Sequence, residues 1–150
     1  MDIDNSKIEK CKKLTGISET INAKGDVGSI LKEMLNGDLP TIVLDATGNS
    51  ESMMNTFNYV AAGGTIVFIG LFTGDVIFND PHFHKKELTL KASRAAMSGD
   101  FKKIIKLMES GKIDAQSFIT HRIKFDDVTT EFEKLYSYNG ELIKAVIEMD

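Results

Sequence analysis

The stretch VLDATGNSESM, residues 43–53, places an acidic residue, a glycine and a helix start directly after an apolar run. Asp45 ends the apolar run, and Thr47 and Gly48 form the break before the helix. In α/β proteins such a unit presents a strand end and a helix N-terminus to a ligand, often a nucleotide. The G-x-G-x-x-G loop that holds the pyrophosphate of a dinucleotide does not occur in the sequence. The pattern therefore predicts part of a nucleotide site without its phosphate loop.

Other residues with reactive or metal-binding side chains are sparse. His82 and His84 form an H-x-H pair, but residues two apart on a helix point in different directions, which disfavours a metal site. His121 is expected to make a local hydrogen bond rather than to transfer a proton. Cys11 is the only cysteine, so an intrachain disulfide is excluded and a thiolate zinc site is disfavoured. The cysteine usage predicts a reducing, cytoplasmic location.

The elements that must position these residues follow from hydrophobic periodicity and from capping residues. The predicted strands are a short one at 20–22, apolar runs at 41–46 and 65–71, and further strands at 88–93, 118–125 and 142–149. Helices are predicted between them, with a Ser6–Glu9 capping box on the first, Asp26 capping the second and Asp126 capping the last. The helix that opens at Ser98 or Gly99 is expected to turn its apolar residues inward: Phe101, Ile104, Ile105, Leu107 and Met108. Alternating strands and helices indicate an α/β sheet with helices on both faces, and the unbroken apolar runs indicate parallel strands covered on both sides.

Composition and charge exclude several classes of protein. The 150 residues are 42% hydrophobic and 27% charged, which is ordinary for one globular domain. A net charge of -4 argues against a nucleic-acid partner, because that function needs clustered Lys and Arg. No apolar run reaches the ~18 residues of a membrane span. The first ten residues lack the basic and apolar regions of a signal peptide. Neither a membrane nor a nucleic acid is therefore expected as a partner.

Several segments together carry a family resemblance. MDID-x-x-K, DATG, GGTIVFIGL, KASR and ITHRIKFDDVTTEFEKL occur in this order along nearly the whole chain. They resemble the C-terminal half of a zinc-type medium-chain alcohol dehydrogenase, closest to the polyol (sorbitol-like), sugar-acid and threonine dehydrogenase branches. The resemblance implies an incomplete Rossmann-type, doubly wound parallel sheet that lacks its first strand and GxGxxG loop. It also implies a partial NAD-binding domain at 1–117 and, at 118–150, a segment that packs on the catalytic domain in that family, the two forming one compact unit here.

The same resemblance assigns cofactor-binding positions. Asp2 matches the acidic residue that accepts hydrogen bonds from the adenosine ribose hydroxyls, and its charge favours NAD over NADP by repelling a 2′-phosphate. Lys7 matches a basic position beside the adenine. Thr47 and Gly48 match the turn that passes under the adenosine.

Two further strand ends complete the expected cofactor site. Residues 69–71 match the place where backbone groups meet the nicotinamide carboxamide, and residues 92–94 match the next strand end beside the nicotinamide. These positions are Ile69, Gly70, Leu71, Ala92, Ser93 and Arg94.

The resemblance implies transfer of a hydride from a secondary alcohol to NAD, with zinc supplied only in the full-length family. This chain lacks zinc ligands and the phosphate loop, so it is expected to be catalytically inactive by itself and to bind NAD weakly or not at all. The missing first strand should flank 41–46, and an exposed apolar edge invites pairing. We expect that edge to be covered by a partner chain, by 19–22 or by 142–149, and we expect a homodimer through exposed strand edges.

Two other classes of protein fit part of the pattern. A receiver-type phosphoacceptor domain also has an aspartate at the end of a central strand, and Asp45 fits that position. It needs in addition an acidic pair after a full first strand and a lysine that ends the fifth. An S-adenosylmethionine-dependent transferase also has an acidic residue at the end of its second strand, but it requires a glycine-rich first loop.

Overall fold

The computed structural model describes residues 1–137 and 142–149. Its helices and strands, in chain order, are α1 Asn5–Thr15, α2 Val27–Met34, β1 Ile42–Asp45, α3 Ser50–Tyr59, β2 Thr65–Phe68, α4 Asp80–Lys85, β3 Thr89–Ala92, α5 Ser98–Glu109, β4 Ile119–Lys124, α6 Val128–Glu131 and β5 Lys144–Glu148. Short 3-10 helices occupy Gln116–Phe118, Phe125–Asp127 and Glu133–Ser137. Within the described ranges, no helix combines the length and the apolar character that crossing a bilayer requires.

The chain divides into two compact units. The first, called the sheet unit, comprises Ala23–Ala95, and the second, called the terminal unit, combines Met1–Asn22 with Ala96–Asp150. This division follows contacts within the folded chain. The predicted boundary at residue 117 rests on the sequence resemblance, and it stays a prediction.

The sheet unit is built on a parallel three-stranded sheet in the order β1-β2-β3. Side chains alternate across a strand, so Ile66 and Phe68 of β2 point to the same face. They are buried there with Val43 of β1 and with Phe57 of α3. The other members of this core are Met53, Val60 and Leu88. The parallel strands joined by helices confirm the predicted α/β class.

The prediction that strand 41–46 is covered on both faces is wrong. Val43 and Asp45 are buried, but Ile42 and Leu44 are 63% and 61% exposed. β1 lies at one edge of the sheet, and α3 contributes to the core on one face of that sheet. An unbroken apolar run indicates two apolar faces, but it cannot show that both faces have neighbours within the chain.

The terminal unit contains the remaining elements. β4 and β5 form a parallel pair, and Arg122 of β4 donates to Glu148 of β5 at 2.8 Å and to Gln116 at 2.7 Å. Ile8 and Ile123 are buried in this unit. The predicted strand at 20–22 is reduced to one isolated bridge, between Asp2 and Asn22.

The apolar residues of α5 do not turn inward as predicted. α5 has no buried residue, and Phe101 is 61% exposed. An amphipathic stripe shows that a helix is able to pack against an apolar surface. It does not show that the same chain provides that surface.

Two of the three predicted caps differ in the structure. α1 is capped by Asp4, which accepts from the Ser6 amide at 2.8 Å, so the predicted Ser6–Glu9 capping box is wrong. A 3-10 turn at Phe125–Asp127 precedes α6, and Asp127 instead of Asp126 occupies the N-cap position. The predicted Asp26 cap of α2 is confirmed.

Replacing Asp26 with alanine should lower stability at neutral pH and change nothing in strong acid. Hydrogen bonds from the Ser29 hydroxyl at 2.7 Å and the Ser29 amide at 3.1 Å hold the pKa of Asp26 below its usual 3.8. Because the folded pKa is lowered, the contribution of the cap is complete above pH 3.8 and is lost as the pH falls through the folded pKa.

Urea unfolding of both proteins through the acid range measures this effect, and the two midpoints should converge as the pH falls. Asp75 is exposed in a loop of the same unit, so Asp75→Ala is the matched control and should show no such convergence. If the urea midpoint of Asp26→Ala stays below that of the unmodified chain by the same amount at every pH, Asp26 is not the pH-dependent cap.

Candidate functional site

The carboxyl ends of the three parallel strands meet at one edge of the sheet unit. Asp45, Phe68 and Ala92 are register partners, so the residues that follow them leave the sheet side by side. The residues concerned are 46–49, 69–71 and 93–95, and together they form what we call the ligand edge. In open parallel sheets, ligands bind outside this edge.

Asp45 organises the first of these strand ends. Its side chain is 4% exposed, and its Oδ1 accepts from the Thr47 amide at 2.9 Å and the Thr47 hydroxyl at 2.8 Å. Its Oδ2 accepts from the hydroxyl of Ser52, in the first turn of α3, at 2.6 Å. Asn49 caps the same helix by accepting from the Ser52 amide. One buried carboxylate thus holds the turn and the start of α3 together.

The second strand end is joined to the first through backbone atoms. The Asp45 carbonyl accepts from the amides of Ile69 at 2.7 Å and Gly70 at 2.9 Å. A Cβ on Gly70 would overlap the Gly48 amide nitrogen and would lie 2.9 Å from the Ala46 carbonyl carbon. Gly48 has φ +63°, and a Cβ there would lie 2.8 Å from the Leu71 carbonyl oxygen. Glycine is required at both places because the two loops are in backbone contact.

The third strand end lies next to the second. The Ser93 amide donates to the Phe68 carbonyl at 2.9 Å, and Ala92, Ser93 and Arg94 are exposed. The structure therefore brings together the predicted positions of the sheet unit at one edge: Thr47, Gly48, Ile69, Gly70, Leu71, Ala92, Ser93 and Arg94. Their binding roles stay predictions.

Asp2 and Lys7 belong to the terminal unit. Asp2 is half-buried, and its Oδ1 accepts from the Asp4 amide at 2.9 Å. Lys7 is exposed in α1. Their proposed contacts with ribose and adenine stay predictions.

The ligand edge offers backbone groups, apolar side chains and the exposed side chains of Ser93 and Arg94, and residues 46–49, 69–71 and 93–95 include no Asp, Glu or His. Leu71 is 81% exposed, and Ile69 is exposed beside it. In residues 1–137 and 142–149, no group of three or more His, Cys, Asp or Glu side chains could hold a metal ion. His82 Nε2 lies near the Phe57 carbonyl, while His84 Nδ1 lies 3.0 Å from Asp80. The edge therefore presents backbone, apolar and guanidinium groups, and ligand binding there stays a prediction.

Sequence reasoning considered Asp45 only as a phosphoacceptor and missed its structural role. The signal was present, because Asp-x-Thr is the spacing of a side-chain turn and a serine follows seven residues after the aspartate. In the structure both carboxylate oxygens accept hydrogen bonds from the surrounding turn and helix, and the side chain is buried. This arrangement does not expose the carboxylate to a phosphoryl donor.

Parallel strands with intervening helices, whose carboxyl ends meet at one edge, define a Rossmann-like α/β fold. A family comparison matches residues 1–110 to the family described as zinc-binding dehydrogenase. The chain belongs to this family, which confirms the resemblance carried by its sequence motifs and favours it over the receiver and S-adenosylmethionine interpretations.

Individual relatives agree with this assignment. L-galactonate-5-dehydrogenase of Escherichia coli K12 is 46% identical over 122 residues, covering 81% of this chain and 36% of that protein. D-xylulose reductase of Scheffersomyces stipitis is 28% identical over 156 residues, covering 99% of this chain and 43% of that protein. The chain thus spans roughly two fifths of the length of these curated relatives.

Solved structures show the same fold. An alcohol dehydrogenase from E. coli CFT073, complexed with NADH, superposes with a TM-score of 0.86 at 22% identity, covering 99% of this chain and 43% of that one. The 2R,3R-butanediol dehydrogenase of Bacillus subtilis gives a TM-score of 0.83 at 18% identity, covering 98% and 42%. These comparisons confirm the predicted Rossmann-like α/β fold.

Proposed function

We propose that the chain supplies the cofactor-binding portion of an NAD-linked, zinc-dependent dehydrogenase acting on a polyol or sugar acid. The observation that carries the proposal is the ligand edge, where Gly48 and Gly70 bring two strand ends into backbone contact. The name of the E. coli relative, which acts on a sugar acid, supports the substrate class. The location that we propose is the cytoplasm.

The residues of the edge fit one side of a nicotinamide dinucleotide. NAD, when bound, supplies the hydride acceptor. Backbone groups at residues 69–71 would bind the carboxamide, and the exposed Ile69 and Leu71 side chains offer an apolar surface to a planar ring. In the terminal unit, the Asp2 carboxylate would accept from the ribose hydroxyls and exclude a 2′-phosphate by charge repulsion.

Zinc does not fit the part of the chain that the structure describes, because no suitable group of ligands occurs there. We therefore derive no zinc-dependent step from these residues, and we assign the metal to sequence that the longer relatives possess. The residues of this chain bind and orient the cofactor.

The isolated chain should show no dehydrogenase turnover. It has neither a metal-binding group among its described residues nor the phosphate loop in its sequence. NADH absorbance, followed with NAD and L-galactonate or a polyol at increasing chain concentration, measures this. E. coli L-galactonate-5-dehydrogenase serves as the positive control. A rate that rises in proportion to the concentration of this chain would overturn the prediction.

A chimera tests the proposed function itself. The matched region of L-galactonate-5-dehydrogenase is replaced by this chain, and the product should oxidise L-galactonate with NAD. Asp2→Ala in the chimera should raise the KM for NAD with little change in kcat. Asp38→Ala is the matched control, because Asp38 is exposed and distant in sequence from Asp2. A folded chimera that neither binds NADH nor turns over would contradict the proposal.

We propose a homodimer that pairs an exposed strand edge. Among the described residues, β1 pairs with β2 and with no other strand, and Ile42 and Leu44 are exposed on it. Of the segments expected to cover this edge, β5 pairs with β4, and the 19–22 segment bridges to Asp2 through Asn22. A second copy of the chain is the remaining candidate.

Sedimentation velocity should show a dimer. Ile42→Lys should raise its dissociation constant at least tenfold, because charge on an edge strand opposes pairing. Ile17→Lys is the control, since Ile17 is also exposed and lies outside the sheet unit. A monodisperse monomer at all concentrations would exclude the dimer.

A further inference from the structure

A second cleft lies within the sheet unit, away from the ligand edge. It has a volume of about 470 Å³ and is formed by the C-terminal half of α3 together with residues 77–82. α3 begins at the carboxyl end of β1 and rises 1.5 Å per residue. Asn55 and Asn58 are therefore about one to two helical turns further from the strand ends than Ser50. The cleft is separate from the proposed cofactor site.

Side-chain amides and an imidazole line one part of this cleft. They are the side-chain amides of Asn55, Asn58 and Asn79 and the imidazole of His82. In the described part of the chain, the Asn55 and Asn58 amides make no internal hydrogen bond, so each offers donors and an acceptor. Asn79 uses its Oδ1 to accept from the His82 amide at 2.9 Å, which leaves its NH₂ group.

His82 and an aromatic pair complete the lining. His82 Nε2 lies 3.3 Å from the Phe57 carbonyl oxygen, so in the neutral ring Nε2 donates and Nδ1 remains an acceptor. Phe78 is 40% exposed and stacks on buried Phe57, with ring centroids 4.7 Å apart and planes inclined by 19°. This stacking holds the Phe78 ring in place at the cleft.

The chemistry of the lining selects a class of ligand. The lining contains no Lys, Arg, Asp or Glu among the described residues, and the Lys86 ammonium behind His82 donates to the backbone carbonyls of Val60 at 2.8 Å and Phe57 at 3.4 Å. A lining without charged side chains disfavours phosphates, carboxylates and metal ions. Amides suit hydroxyl groups because they both donate and accept hydrogen bonds. The electron-rich face of an aromatic ring attracts the weakly positive C–H face of a sugar ring. We propose that this cleft binds a neutral carbohydrate, either a sugar or a polyol.

Side-chain amide NMR tests the proposal without cofactor or turnover, so its outcome is independent of the dehydrogenase proposal. D-glucose, D-galactose and sorbitol are titrated in turn into the labelled chain. At least one of them should shift the Asn55, Asn58 and Asn79 amide signals saturably. The double variant Asn55→Ala/Asn58→Ala should weaken that binding at least about tenfold, because two hydrogen-bonding groups are lost. Asn5→Ala, in the terminal unit, should leave it unchanged.

The unfolding midpoint of the double variant provides the folding check, and Asn58→Ala alone, at an exposed position, provides a milder variant. Absence of a saturable shift with all three probes would overturn the proposal. Binding that survives in the folded double variant would overturn the location. Nicotinamide serves as an uncharged aromatic competitor. If it displaces the sugar at a concentration below that of the sugar, the assignment of the cleft to carbohydrates is wrong.

Discussion

Gly70→Ala should destabilise the chain by roughly 3 kcal/mol, near the upper end of the range for overpacking a rigid site. The new Cβ would overlap the Gly48 amide nitrogen and would lie 2.9 Å from the Ala46 carbonyl carbon and 3.0 Å from the Gly48 Cα. These are backbone atoms, so no side chain can rotate away to make room. Separating the two loops would also weaken the hydrogen bonds from the Ile69 and Gly70 amides to the Asp45 carbonyl.

Urea unfolding followed by circular dichroism measures the effect, and the midpoint should fall by about 1 M or more. Gly99→Ala is the matched control, because a Cβ on Gly99 would have no neighbouring atom within 4 Å and the residue lies in the first turn of α5. That variant should be neutral or slightly more stable. Equal midpoints for the two variants would show that the Gly48–Gly70 contact is not tight.

Asp45→Ala should cost about 3 kcal/mol, because hydrogen bonds to a charged group contribute roughly 1.5–3 kcal/mol each and the hydroxyl donors can partly find new partners. The substitution removes the acceptor of the Thr47 amide, the Thr47 hydroxyl and the Ser52 hydroxyl. The turn at 46–49 and the first turn of α3 then lose their common anchor. Asp45→Asn should cost less, since its amide oxygen still accepts from the Thr47 amide.

The same unfolding assay ranks these variants. Asp38→Ala is the control, because Asp38 is exposed on the surface of the same unit and should change stability by no more than about 0.5 kcal/mol. The expected order of stability is parent, Asp38→Ala, Asp45→Asn and Asp45→Ala. A loss from Asp45→Ala as small as that from Asp38→Ala would contradict the anchoring role of the carboxylate.

Local patterns predicted much of the fold, and the reason is that they report local interactions. The stripe that includes Val27 and Leu31, with Asp26 before it, predicts α2 because residues three and four apart share a helix face. The short, continuous apolar runs at 41–46 and 65–71 predict β1 and β2, which is also a local signal. The same patterns were wrong for α5 and for one face of β1. A pattern of apolar residues shows that a surface is suited to burial, but it does not show that another segment of the chain packs against that surface.

The same distinction between local and long-range interactions applies to the candidate site. The sequence by itself predicted most of the strands and helices and the strand ends at which a ligand edge would form, since each depends on residues close together in the chain; the order of its motifs indicated the family. Only the tertiary structure decided that Asp45 is a buried anchor, that Gly70 contacts Gly48, and that amides from α3 and residues 77–82 share a cleft. Those facts depend on strand register and on packing between segments distant in sequence, which no local period encodes.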